Sequence, residues 1–143
     1  MLFRSESAIE ELKLICQAVN EVVAMTVEAF TNDDEKLAKR VEPLEETIDD
    51  MVMMLRDRHT KRLKNGNCSI SSGLVFMETL THLERVSDHC SNIAVMMLAR
   101  NNEAILHNHY EYLRVLHEGG DDSYRSERSR RREQYVKPLK EIQ

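Results

Sequence analysis

Glycine, proline and cysteine are scarce in this sequence, and each scarcity excludes something. With only 4 Gly and 2 Pro in 143 residues, few places let the chain reverse at low cost, so the regular elements between them must be long. The three cysteines, Cys16, Cys68 and Cys90, are an odd set without a Cys-x-x-Cys spacing. That excludes a disulfide framework and a thiolate zinc site, and fits a reducing compartment. Tryptophan is absent and aromatics make up 5%, which disfavours a β-sandwich. The longest uninterrupted apolar run, Ile93 to Ala99, is too short to cross a bilayer, and Met1 to Glu6 lack a hydrophobic signal core. The expectation is a cytoplasmic domain with no membrane span of its own. A Gly-rich phosphate loop, a nucleophile elbow, a His-Glu-x-x-His pair and the Glu-x-x-His pairs of di-iron bundles are all missing, so a binding or regulatory module is favoured over an enzyme.

What is present points to helices. Charged residues are 31% and hydrophobic ones 41%, rich in Leu, Glu, Met, Ala, Lys and Arg, which lose little freedom in a helix. The length suits one domain with a continuous core. The net charge of -5 is uneven: residues 121–143 hold seven Lys/Arg against five Asp/Glu, so a basic tail follows an acidic body. An acidic body argues against nucleic acid as a partner.

Apolar positions alternate by three and four at Ile9, Leu12, Cys16, Val19, Val23, Thr26 and Phe30, predicting a helix from about Glu6 to Phe30. Thr31 to Asp34 offer side-chain caps for a new start. A second pattern runs through Leu37, Val41, Leu44, Ile48, Met51, Leu55, His59 and Leu63, with Pro43 demanding either a kink near Lys39 or a start just after it. It stops at Lys64-Asn65-Gly66-Asn67. The third seam reads Gly73, Phe76, Leu80, Leu83, Ser87, Cys90, Ala94 and Met97, ending near Asn101-Asn102. A short further helix through Ile105, Leu106, Tyr110, Leu113 and Leu116 closes at Gly119-Gly120, and a basic helix anchored by Tyr124, Tyr135, Val136 and Leu139 follows. The expected fold is an all-α antiparallel three-helix bundle over residues 1–102, with a shorter C-terminal helical extension over 103–143.

The second and third helices each carry Leu-Glu-x-x-x-Asp: Leu44-Glu45 with Asp49, and Leu83-Glu84 with Asp88. Acids four apart share a helix face one turn apart. The midpoint between the two motifs falls in the Gly66-Asn67 turn, so in an antiparallel hairpin both lie about 29 Å from the reversal, at one level. Like charges so placed resist full ionisation unless cations neutralise them. Glu45, Asp49, Glu84 and Asp88 are therefore candidate metal ligands, and helix-borne oxygens suit iron, zinc, manganese or magnesium. The competing reading has the same acids solvated and paired with Arg56, Arg58 or Arg85. Of the neighbours, His59 reads as a packed histidine, His89 as outward-facing and Cys90 as a small core residue.

The string Leu83-Glu84-Arg85-Val86-Ser87-Asp88-His89-Cys90-Ser91-Asn92-Ile93-Ala94, with Val41-Glu42-Pro43-Leu44-Glu45-Glu46-Thr47-Ile48-Asp49, resembles the PhoU family. Arg62-Leu63 before Gly66-x-Cys68, and Tyr110-Glu111-Tyr112-Leu113 before Gly119-Gly120, are similar to the cytoplasmic C-terminal domain of bacterial sodium/phosphate cotransporter family proteins. The resemblance implies a PhoU-type bundle, metal-binding Glu-x-x-x-Asp motifs at Glu45, Asp49, Glu84 and Asp88, and a part in regulating phosphate uptake. Its implied partners are a membrane phosphate transporter segment or a sensor protein. Free-standing members carry two bundles, whereas one is present here, so a homodimer would restore the pair. The alternative from another class is a metal-dependent helical enzyme whose paired carboxylates activate water or oxygen.

Overall fold

A computed structural model describes residues 6–143. The two capping clusters and the two glycine turns divide it. Helix α1 spans Glu6–Asn32 and ends where Asp33 takes a positive φ of 52° and the Asp34 amide donates back to the Ala29 carbonyl, closing the last turn. Asp34 then caps α2, Glu35–Ala38, accepting from the Leu37 amide at 3.0 Å. The chain breaks at Lys39-Arg40, and α3 runs Val41–Lys64, so Pro43 sits in the first turn, where its missing N–H is harmless. Gly66, at φ 71°, reverses the chain. Ser69 caps α4, Ile70–Ala99.

Helices α1, α3 and α4 pack around Ile15, Val22, Leu44, Ile48, Met51, Leu55, Phe76 and Leu80, all removed from solvent. The α3 and α4 seams are those expected, with Leu63 and Leu83 only half-buried, whereas Leu37 of the expected second pattern falls in α2, also half-buried. On α1 the stripe is rotated. Its core-facing residues are Ala8, Glu11, Ile15, Ala18, Val22, Met25 and Ala29, together with Val19 and Thr26 of the expected stripe, while Phe30 is exposed and Ile9, Leu12, Cys16 and Val23 are only half-buried. The expected stripe follows the larger apolar residues. The buried one includes alanines and a glutamate, because α1 lies close to its neighbours and ion-pairs with one of them.

That glutamate explains the α3 end of the bundle. Glu11 is fully buried and accepts from Arg58 Nε at 2.6 Å and from both terminal nitrogens of Arg62, at 2.9 and 2.8 Å. Arg62 also donates to His59 Nδ1 at 3.1 Å, and His59 stacks on Phe76 with ring centroids 4.3 Å apart. Burial and the neighbouring guanidinium hold His59 below its usual pKa, so it packs as a neutral ring. Gly73 permits this closeness: a Cβ there would lie 2.9 Å from Leu63 and 3.1 Å from His59 Nε2. Among the described residues α1 is the one helix long and apolar enough to cross a membrane by length and composition; in the bundle its buried face holds the Glu11 ion pairs.

Beyond α4 the chain forms α5, Glu103–His107, and α6, His109–His117, two pieces where one short helix is expected. Asn108 separates them, capping α6 through its side chain onto the Glu111 amide at 3.0 Å. After the Gly119-Gly120 turn come α7, Asp122–Arg131, a π-helical turn over Arg132–Val136, and α8, Lys137–Glu141. Tyr124, Tyr135, Val136 and Leu139, the expected anchors, are all buried. This tail lies along α3 and α1.

Candidate metal centre

The N-terminal half of α3 carries five acids, Glu42, Glu45, Glu46, Asp49 and Asp50, and helical geometry splits them between two stripes. Glu46 and Asp50 face the tail. Tyr124 donates its hydroxyl to Glu46, Arg128 Nε lies 3.3 Å from the same carboxylate, and Arg132 pairs with Asp50. Glu42, Glu45 and Asp49, at i, i+3 and i+7, turn instead towards α4 and the end of α6.

There the antiparallel hairpin brings Glu45, Asp49 and Asp88 together, each offering an oxygen within 4.8 Å of the others. Three of the four predicted ligands thus converge. The fourth, Glu84, stands one turn further along α4 and pairs with Arg56 at 3.1 Å, one of the arginines named in the competing reading, although its charge still acts on Asp49. Arg58, another of them, is committed to Glu11. His89 is exposed and Cys90 buried, as expected.

Two residues outside the predicted set complete the cluster. Glu42 and Glu45 are each only 5% exposed. Glu42, Glu45 and His117 form a second group whose ligand atoms also lie within 4.8 Å of one another. Glu42 accepts from the Ser91 hydroxyl on α4 and from His117 Nε2 at 2.7 Å. Glu42 was findable from the Glu42, Glu45, Asp49 stripe on one side of α3. His117 had no such signal, because its place depends on how the extension folds back.

The electrostatics are those of uncompensated carboxylates. Burial, then the charges of Glu42 and Asp49, push the Glu45 carboxyl up to about 11, so it keeps a proton and hydrogen-bonds with Asp88 and Glu42. Burial and Asp88, followed by Glu84, raise Asp49 to about 6. Asp49 Oδ1 is shut off from solvent without a hydrogen-bond partner. A buried acid kept neutral by its neighbours, beside an orphaned carboxylate oxygen, is a donor set that a divalent cation would satisfy. The residues fit a metal: oxygens with one imidazole at the edge suit manganese, iron or zinc. Bound there, a cation would neutralise the cluster and draw α3 to α4; Glu45, Asp49 and Asp88 would hold it, with Ser91 orienting Glu42 behind them.

Comparison with known proteins gives this geometry a setting. A family model described as the PhoU domain matches residues 12–97. A curated relative, the phosphate-specific transport system accessory protein PhoU homolog 1 of Thermotoga maritima, is 34% identical over 97 residues, covering 64% of this chain and 42% of that protein. The match therefore spans about two fifths of the relative's length. No solved structure matches significantly.

Proposed function

The chain belongs to the PhoU domain family, and from that premise we propose that it is a non-enzymatic, cytoplasmic regulatory or accessory domain of sodium-coupled inorganic phosphate transport. It acts by protein contact, and a metal ion held by Glu45, Asp49 and Asp88, with Glu84 at the edge, sets the geometry of the α3–α4 hairpin. The observation that carries this reading is the convergence of the two Glu-x-x-x-Asp motifs inside the stretch that matches the family. The relative's role in a phosphate-specific transport system supplies the phosphate context, and the sequence resemblance to cotransporter domains supplies the sodium coupling.

Its partners are a membrane phosphate transporter segment or a sensor protein, and a second copy of the chain. Val27 and Phe30 on α1, with Ile93 and Met96 on α4, remain exposed and offer apolar surface for such contact.

The test is phosphate uptake in cells lacking the gene, complemented with the wild type or with Asp49→Ala/Asp88→Ala. Altered control of uptake on deletion, restored by the wild type but not by the double variant, is expected. Uptake and its response to phosphate supply unchanged by deletion would overturn the transport reading. Metal content after reconstitution with iron, zinc, manganese or magnesium separates the metal component, since equal content in wild type and double variant would remove it. A dimeric mass by light scattering is expected, and a monomer at working concentration would remove the second copy.

A further inference from the structure

We infer that Glu42 and His117 form a second cation position that shares Glu45 with the first, so that the C-terminal extension supplies a ligand and is fastened to the bundle by the ion it helps to hold. This rests on the reading of the carboxylate cluster as a metal centre. Two triads of ligand atoms, Glu42, Glu45 and His117 on one side and Glu45, Asp49 and Asp88 on the other, each fall within 4.8 Å. Glu45 is common to both, and a carboxylate has two oxygens with which to bridge two ions.

The second triad differs from the first in chemistry and origin. It adds an imidazole nitrogen, which suits zinc, manganese or iron, whereas magnesium prefers oxygens and keeps its waters. It also joins elements far apart in sequence: Glu42 in the first turn of α3, and His117 in the last turn of α6. Helix α6 has no fully buried residue, yet His117 reaches the buried Glu42 carboxylate at 2.7 Å. Past Glu118, which ends α6, Gly119 and Gly120 turn the chain at φ 149° and 62° into α7, whose Tyr124 returns to α3 at Glu46. The joint between α6 and α7 is therefore pinned on one side by packing and on the other by a polar contact that an ion would replace. The Ser91 hydroxyl, donating to Glu42, orients that carboxylate as outer-shell partners of metal ligands do.

The test uses the full chain stripped by chelator and titrated with zinc chloride or magnesium chloride, read by native mass spectrometry, by hydrogen exchange and by nitrogen NMR of the histidine side chains. The wild type should take up two zinc ions but one magnesium ion. Zinc should slow exchange across residues 103–117 and shift the His117 imidazole nitrogen resonance. His117→Gln should bind the second zinc at least ten-fold more weakly and lose the added protection, while keeping one zinc. Because His117 is partly exposed on a helix without buried residues, the variant should fold; Glu42→Gln provides an independent second lesion. One zinc in both wild type and variants, with no shift at His117, would overturn this inference and leave the first site standing. No zinc in the wild type would remove the metal centre itself.

Discussion

Glu45 and Asp49 are neighbours on one helix face, and both hold their protons more tightly than ordinary carboxyls, Glu45 up to about 11 and Asp49 to about 6. The folded chain thus keeps protons that the unfolded chain releases near its ordinary values, so stability of the ion-free protein falls as pH rises. For Asp49 the fall spans roughly pH 4 to 6; for Glu45 it begins in the same region and continues through neutrality. His117 adds to the same slope: its contact with Glu42 raises it above 6.5, and that contribution is complete below 6.5 and lost as pH rises through the higher folded value. Thermal melts in chelator between pH 5 and 9 should show the decline, and Glu45→Gln should flatten it; a single proton contributes at most about 1.4 kcal/mol per pH unit. At the opposite end of α3, Glu11→Gln would leave Arg58 and the largely buried Arg62 without their shared carboxylate. Denaturant unfolding should then show a loss of about 3–5 kcal/mol.

At the scale of elements, α3 and α4 could be read almost completely from sequence. Gly66 marks the reversal, the three-four seams supply the facing surfaces, and equal distance from the turn puts Glu45 and Asp49 level with Asp88. Those features are local or follow from counting residues along two rods. Glu84 illustrates the limit. Its spacing equals that of its counterpart, but Arg56 stands opposite it on α3, and opposing side chains across an interface are not encoded in the spacing of either helix. The rotated stripe of α1 has a similar cause, since Ala18 and Ala29 are buried by close approach and Glu11 by its arginine partners. The extension is the least legible part. Its anchors could be named, but the fold of the Asn108 and Gly119-Gly120 joints, and with it the approach of His117, is set by tertiary contacts. Leu139, fully buried in α8, is the anchor to remove: Leu139→Ala should cost about 2–5 kcal/mol locally. Hydrogen exchange should then show α7 and α8 opening while α3 and α4 stay protected.

Across the whole molecule, charge is sorted rather than merely balanced. The basic tail folds back and takes the outer acids of α3 through Arg128 and Arg132, while Arg131, almost wholly buried, reaches Glu21 on α1. None of these cations is partnered with Glu45 or Asp49, so the basic tail supplies counter-charge to the outer acids of α3 and none to this inner pair. The proton retained there gives that cluster an exchangeable occupant. An arriving cation takes the place of hydrogen rather than of water alone, and the displaced proton passes to the buffer. Calorimetric heats of zinc binding at pH 7 should therefore differ between phosphate-free buffers of low and high ionisation enthalpy, such as PIPES and Tris, by an amount that counts the protons released. Equal heats in both would mean that Glu45 surrenders nothing on binding. If they differ, ion uptake by this domain is coupled to the acidity around it, and a fall in pH would discharge the metal without any change in its concentration.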